Sequence, residues 1–507
     1  NLLVVLTQDY DVALMNPPYG SRGRMPSSVS DYVEDHYEYT PEYYINLFEA
    51  SETITKSGGR IGMLVPRSFM FKRRFTDFRQ DFIGKRGAFD FLAEFGLGIL
   101  DNATVRTIGT VVRTVEGNRS SGEFVRLSDV DTSQKEQTFL ATIFDAGEDT
   151  IQRFYDVPLT KFEKIPWAPL SYWTPSKLRD IHTSTRKLDA DVADLEAESV
   201  AKAAKGMDTG DNGRFLQFHW ESDQVSDFIP YAKGGSDAWI MPEVTRMLNW
   251  VNGGSELARY DGSNLKNSDY YGNEGLTWTY AKETGRRFGY FPSGGAFDGK
   301  GSMLFPNEID PFILMAVLNS SLYHGLFLSL TPERDWQVGD VSRIPWLDTL
   351  DQKTALGNLS HEQYNIFQKL ARSDPTSPYY VAPILFSDDG THFYNHQFLA
   401  QEGEDAIEVD PVDYSKPIKQ IVSEKINKRS EQIEQLETVA KKIDERVYEA
   451  VGVDEETRSN IRLEIDARTS TTSSFHESTD GDIDERTREE IKALLHHITI
   501  QVVRDST

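Results

Sequence analysis

Asn16, Pro17, Pro18 and Tyr19 stand directly after an apolar run, residues 12–15, and their types suit one piece of chemistry. An amino group conjugated into a planar ring has a delocalised lone pair and is a poor nucleophile until its hydrogens are drawn out of the ring plane. The side-chain oxygen of Asn16 and the carbonyl of Pro17 could each accept one N–H, leaving the lone pair aimed at an electrophilic carbon through orientation and fixed dipoles. The two prolines fix their own φ and bias each preceding residue toward an extended conformation, so the turn is stiff. Tyr19 offers a flat face on which such a ring can stack. No strong base is required, because the departing proton turns acidic once the nitrogen is alkylated. The plain alternative is a proline turn that merely ends a buried strand.

The elements around the turn must position it. Residues 41–55 read as a helix, Ser57, Gly58 and Gly59 as its stop signal, and residues 60–65 as an apolar strand closed by Pro66. A second helix is expected over 74–84, with strands over 89–95 and 105–114. This alternation predicts a doubly wound α/β domain, whose ligand sites lie at the carboxyl ends of the strands, where Asn16 would sit. Residues 119–165 carry little signal and read as a connection. Residues 166–350 change character, being rich in Gly, Trp, Tyr and Phe with short strand candidates, and read as a separate mixed, β-rich domain. In it, Lys205, Arg214, Lys233 and Arg246 are cations able to meet phosphates or guanine edges; tight turns around an aromatic core are the plain alternative. Over 351–467 a helical region is expected, with a helix at 360–371. Ile426, Ile433, Leu436, Ala440, Ile443 and Val447 recur at the spacing of a long amphipathic helix, read as packing within its own domain ahead of a partner-binding coiled coil. Residues 468–507 read as an acidic linker, centred on 470–481, and a terminal helix at 487–503.

The order of these elements, with Asn16, Pro17, Pro18 and Tyr19 as the catalytic turn, resembles the adenine-specific DNA methyltransferases. Residues 44–50 resemble the helix motif after that turn, and 59–69 the next strand and its loop. The polar, turn-rich loops at 205–213, 230–235, 275–278 and 337–345, in that order, resemble the target-recognition region of the PglX-type methyltransferases of BREX phage-defence systems. The resemblance covers most of residues 10–346. It implies that residues 1–118 are the carboxyl-terminal part of a Rossmann-like methyltransferase domain. It also implies transfer of a methyl group from S-adenosyl-L-methionine to N6 of adenine in double-stranded DNA, with the adenine flipped out onto Asn16, Pro17 and Tyr19. Other phage-defence proteins are the further partners it implies.

In that family the Gly-rich turn and acidic residue that bind the cofactor precede the catalytic motif, and only fifteen residues precede Asn16 here. The chain is therefore expected to be the carboxyl-terminal portion of a longer polypeptide and inactive alone, Asn16 being its residue at the cofactor. Where the family often has a second stacking aromatic, this chain reads Gly98, Ile99, Leu100, Asp101 and Asn102, with Leu100 at the expected place. The alternatives are an amino methyltransferase for RNA or a protein glutamine, a fused restriction-modification enzyme, and a DNA-binding specificity subunit with a relic turn.

Composition sets the surroundings. A chain of 507 residues has room for roughly two to four domains. It has no cysteine, hence no disulfide or thiolate metal site, which fits a cytoplasmic protein. Most of its ten histidines are isolated; His392 and His396 have helical ligand spacing but no third ligand in frame, and no metal is expected. No run approaches the ~18 apolar residues of a membrane span. The net charge of −26, from 80 acidic and 54 basic residues, is opposite to what a DNA enzyme's surface needs. Its spread along the whole chain points to a host with molar internal salt. Self-repulsion should then be relieved by screening, and the melting temperature should be higher in molar KCl than in dilute buffer. Higher stability in dilute buffer would instead indicate an acidic face turned away from DNA.

Overall fold

The computed structural model describes residues 8–40, 42–86, 88–100, 105–114, 121–144, 152–221, 227–234, 239–242, 244–281, 286–332, 335–374, 376–377, 379–380, 382–386, 412–468 and 482–505. The pair His392 and His396, the linker 470–481, and Asp101 and Asn102 lie outside the described residues. The chain divides into two compact units. The first takes residues 1–183 with 328–332, and the second takes 184–327 with 333–507.

The first unit is built on six strands, β1 (Tyr10–Met15), β2 (Thr55–Pro66), β3 (Ala88–Gly96), β4 (Thr107–Arg113), β5 (Ser121–Arg126) and β6 (Phe154–Pro158). Their order is β1-β2-β4-β3-β5-β6. β1 pairs with β2, and β3 with β5, in parallel; β4 is antiparallel to both β2 and β3. The class is α/β, with a mixed sheet. Helices α1 (Ser27–His36), α2 (Tyr43–Ile54) and α3 (Lys135–Ile143) accompany it. Alternating side chains of the strands feed two clusters. Ile61, Met63, Val65, Phe89, Leu92 and Val112 pack with Tyr44, Ile45 and Phe48 of α2. Ala93, Val125 and Leu127 pack with Phe139 of α3. Period-two alternation with both faces covered is what apolar strands in this architecture require. Aromatic rings dominate the larger cluster, where Phe48, Phe69 and Phe78 meet edge to face or tilted at 5.5–6.4 Å. Each such ring removed from water contributes about 1.5–3 kcal/mol.

Several expectations are corrected here. Ser57, Gly58 and Gly59 do not stop a helix before the strand: β2 already begins at Thr55, and the glycines form an irregular, bulged start to it. Gly58 takes φ +81° and donates its N–H to the Thr114 carbonyl, which a residue with Cβ would do at a cost. The helix expected over 74–84 is largely wound as a π-helix, Phe78–Arg86. Residues 119–165 are not a mere connection, since β5, α3 and β6 arise from them and complete the sheet. Residues 167–183 belong with the first unit, and Leu170, Tyr172 and Trp173 lie in its core. Helix α1 had no counterpart in the sequence reading.

The second unit holds two four-stranded sheets. One runs Leu216–Phe218, Arg246–Asn249, Phe228–Ala232, Ala296–Phe297; the other Phe288–Phe291, Gly275–Trp278, Met303–Pro306, Ala201–Ala204. Its main helices are α4 (Pro311–Leu318), α5 (Thr354–Ala371), α6 (Ile418–Val451) and α7 (Ile483–Asp505). The long amphipathic helix is α6. It buries Leu436, Val439, Ala440, Ile443, Val447 and Tyr448, its Asp444 accepts the Ser321 N–H at 2.6 Å, and its Tyr448 hydroxyl meets Ser321 Oγ at 2.9 Å. α5 packs against both α4 and α6, so the helical region expected as a separate block folds into the same unit as the β-rich region. Among the described residues, no single helix is long and apolar enough to cross a membrane.

One buried charge ties the first unit together. Glu94, near the end of β3, is fully buried; it meets Arg67, just past β2, at 2.5 Å and accepts the Tyr172 hydroxyl at 2.6 Å. Breaking a buried pair by removing one partner costs about 3–5 kcal/mol. Glu94→Ala should therefore destabilise the first unit by that amount in denaturant titration, and a loss under about 1 kcal/mol would show that solvent reaches Arg67.

Candidate active site

Because β1 and β2 run in parallel and β4 is antiparallel to both β2 and β3, the carboxyl ends of β1, β2 and β3 share one edge of the sheet. The turn Asn16, Pro17, Pro18, Tyr19 leaves β1 at that edge. Asn16 and Pro18 are exposed, Pro17 is buried and Tyr19 is half-buried. Three attachments hold the turn. Its start is fixed by the β1–β2 ladder, in which Met15 pairs with Met63. Its middle is fixed by the Tyr19 hydroxyl, which donates to the Leu64 carbonyl at 3.0 Å and lies 3.5 Å from Asn16 Oδ1. Its end is fixed where the Gly20 carbonyl accepts the Tyr43 N–H at 3.1 Å and Ser21 bridges to Glu42. Burial raises the Tyr19 pKa above its ordinary value, so the phenol stays a neutral donor at physiological pH.

The Tyr19 ring stands edge-on to Tyr44, with centroids 6.4 Å apart. Tyr44 is itself buried against Phe69 and Phe75 and meets Ser68 Oγ at 3.3 Å. The helix motif at 44–50 thus acts through its side chains: Tyr44 backs the Tyr19 ring, Asn46 Nδ2 donates to the Tyr39 carbonyl at 2.5 Å, and Glu49 accepts the N–H groups of Glu38 and Tyr39. Among the described residues, neither the Asn16 amide nitrogen nor the Pro17 carbonyl has a hydrogen-bond partner.

Two features of this edge were not visible in the sequence. β1 is the outermost strand, and its Val12, Leu14 and Met15 are 52%, 78% and 37% exposed, an apolar edge strand with no cover among the described residues. The loop after β3 is held by Lys135, from the start of α3, whose ammonium donates to the carbonyls of Phe95 and Leu97, the latter at 2.7 Å. Burial lowers the Lys135 pKa, partly offset by Asp129. In this loop Leu100 is half-buried, while Leu97 and Ile99 are the exposed apolar side chains.

The four cations singled out in the second unit are in unlike states. Lys205 is exposed with no side-chain partner among the described residues. Arg214 is paired to Glu256 at 2.5 Å. Lys233 is paired to Asp298 at 2.5 Å and reaches Asn212 Oδ1 at 3.3 Å. The Arg246 guanidinium lies 3.4 Å over the Phe218 ring. Sequence spacing gave no sign of which charges would be matched within the protein.

Residues 4–95 match the family model of the Eco57I restriction-modification methylase. The chain is 25% identical over 400 residues to the adenine-specific methyltransferase PglX of Lacticaseibacillus casei (strain Zhang), covering 72% of this chain and 32% of that protein. It is 25% identical over 358 residues to the adenine-specific methyltransferase BrxX of Escherichia coli O9:H4 (strain HS), covering 67% of this chain and 28% of that protein. The chain thus spans about a third of the length of the curated relatives it matches. Among solved structures it is similar to the type IIL restriction-modification enzyme MmeI in complex with DNA, at 9% identity and a TM-score of 0.47, covering 95% of this chain and 57% of that one. It is also similar to a nuclease-deletion mutant of the type ISP restriction-modification enzyme LlaGI with a DNA substrate mimic, at 10% identity and a TM-score of 0.44, covering 89% and 53%.

Removing the Lys135 ammonium leaves the Phe95 and Leu97 carbonyls without it in a part-buried place. Lys135→Met should cost about 1–3 kcal/mol of stability and speed amide exchange selectively over residues 95–100. Unchanged exchange there would show that the lysine does not hold the loop.

Proposed function

We propose that this chain carries the base-binding edge and the recognition region of an S-adenosyl-L-methionine-dependent DNA adenine-N6 methyltransferase, a cytoplasmic enzyme acting as the modification arm of a phage-defence system. The observation that carries this reading is the pinned turn at the carboxyl edge, where the Asn16 side chain is exposed, the Pro17 carbonyl has no hydrogen-bond partner among the described residues, and the Tyr19 hydroxyl is fastened to the Leu64 carbonyl. Similarity to PglX and BrxX over most of the chain supports it.

In this reading a flipped-out adenine lies against Tyr19, and its amino group donates one N–H to Asn16 Oδ1 and the other to the Pro17 carbonyl. Both acceptors are preorganised, so little reorganisation accompanies the rise of positive charge on the nitrogen. The proton leaves after methylation, and no residue of the turn needs to be a strong base. S-adenosyl-L-methionine supplies an electrophilic methyl group when bound, and in this reading Asn16 is this chain's residue at the cofactor. The apolar side chains of β1, without cover among the described residues, suit a surface that further protein covers. They support the reading that the rest of the donor site comes from a longer protein and that the chain alone is inactive. Lys205 and Arg246 keep more of their charge for DNA than Arg214 and Lys233, which spend theirs on Glu256 and Asp298.

In the full-length protein, Asn16→Ala should abolish adenine methylation while duplex affinity stays within about threefold, because Asn16 acts on the flipped base alone. Tyr19→Ala should be severe. Tyr19→Phe keeps the stacking face and loses the bond to Leu64, worth about 0.5–1.5 kcal/mol, and should be mild. Methylation at the unsubstituted level in Asn16→Ala would overturn the mechanism.

A further inference from the structure

The catalytic turn and the head of α2 meet in reverse order, residue against residue. Ser21 bridges to Glu42, the Gly20 carbonyl accepts the Tyr43 N–H at 3.1 Å, and the Tyr19 ring stands edge-on to Tyr44. Glu42 is buried and is itself paired to Arg74, so the head of the helix has an anchor of its own. The Tyr43 side chain completes this clamp. It is half-buried, and a Cβ added to Gly20 would stand 3.0 Å from Tyr43 Cδ2 and 3.1 Å from Cε2, closer than ordinary van der Waals contact, with no other described residue within 4 Å beyond its chain neighbours. Gly20 is not among the residues of positive φ. The glycine therefore answers to the space the ring occupies and not to a left-handed backbone.

We propose that Tyr43 is a positioning residue for methyl transfer: its ring, seated on Gly20, sets where the catalytic turn ends and so where Asn16 and the Pro17 carbonyl stand; the proposal rests on the methyltransferase reading above. Between Met15, which the ladder fixes to Met63, and Gly20 lie only Asn16, Pro17, Pro18 and Tyr19. Two of these four have a fixed φ, so the turn has few torsions in which to absorb a shift at its end. A displaced Gly20 is passed on to the two acceptors, and a reaction that depends on aligned groups is sensitive to small displacements. The ring acts by its bulk, since among the described residues the Tyr43 hydroxyl has no hydrogen-bond partner.

The test is a double-mutant cycle in the full-length protein, read as kcat and KM for adenine methylation of unmethylated duplex DNA with S-adenosyl-L-methionine, at a temperature where thermal melts show every variant folded. Tyr43→Ala should lower kcat by at least about tenfold, a loss within reach of a misplacement on the order of 1 Å. KM for DNA and for the methyl donor should stay within about threefold, because the ring touches neither. Tyr43→Phe keeps the ring and should match the unsubstituted enzyme. Gly20→Ala alone should lower kcat as Tyr43→Ala does, whereas adding it to Tyr43→Ala should lower kcat no further, because the new methyl group then has no ring to displace. Losses that simply add would overturn the seat on Gly20, and an unchanged kcat in Tyr43→Ala would overturn the positioning role. Amide exchange in the 507-residue chain separates the clamp from the chemistry. The amide of residue 43, bonded to the Gly20 carbonyl, should exchange faster in Tyr43→Ala and not in Tyr43→Phe, and exchange indifferent to the ring would overturn the clamp. An unsubstituted enzyme that shows this exchange pattern and methylates no adenine would overturn the methyltransferase reading on which the role rests, and leave the clamp standing.

Discussion

The carboxylate of Glu94 has no exposed surface, and a charge in that position persists only when its surroundings are built to hold it. Arg67 and the Tyr172 hydroxyl supply that surrounding, and through them the end of β3, the residue after β2 and a segment beyond β6 meet at one point. The cost of burying a charge makes the arrangement cooperative: displacing any of the three leaves a buried ion short of partners. The loops at the carboxyl edge inherit their positions from this constraint. Arg67 follows Pro66 at the end of β2, and Leu64, three residues before Arg67, is where the Tyr19 hydroxyl is fastened.

The turn itself is economical. Its prolines supply stiffness locally, but stiffness alone does not orient a side chain. Orientation comes from the parallel pairing of β1 with β2, from the Leu64 carbonyl, and from the first residue of α2, each through a backbone group and therefore not readable in any one side chain. Among the described residues these attachments leave the Asn16 amide nitrogen and the Pro17 carbonyl without a hydrogen-bond partner. The same logic holds after β3, where the Lys135 ammonium gathers the Phe95 and Leu97 carbonyls and the loop displays Leu97 and Ile99. Two glycine-bearing loops on one sheet edge are thus fixed by hydrogen bonds to groups elsewhere in the first unit.

In the second unit the balance of charge is local, and the net value of −26 conceals it. Arg214, Lys233 and Arg286 are matched by Glu256, Asp298 and Glu437, while Lys205 has no side-chain partner among the described residues. Ion pairs at exposed positions contribute little stability, about 0–1 kcal/mol; their larger consequence is to decide which cations remain available to an outside anion. The long helix α6 shows the same discrimination between a local pattern and its use. Its apolar stripe is spent on α5 and the rest of its own unit, and Asp444 and Tyr448 anchor Ser321.

The sequence by itself determined what short-range rules govern. The Asn-Pro-Pro-Tyr turn after an apolar strand, the apolar strands at 60–65, 89–95 and 105–114, and the helical stripe from Ile426 to Val447 all follow from φ restriction or from a period of two or 3.6 residues. They stand where those rules put them. Tertiary structure decided whatever depends on partners distant along the chain. β5 and β6 carry weak local signals and become strands because the sheet edge beside β3 offers them hydrogen bonds. Ser57, Gly58 and Gly59 look like a stop and instead lie inside β2, where the β1–β2 register shifts and Thr114 exchanges hydrogen bonds with Gly58 and Gly59. Arg214 and Lys233 look like free cations and are not, because Glu256 and Asp298 lie 42 and 65 residues away in sequence and within 2.5 Å in space. Local patterns fix torsion and periodicity; charge neutralisation, edge pairing and burial are sums over the folded surroundings, and those sums exist only once the chain has closed on itself.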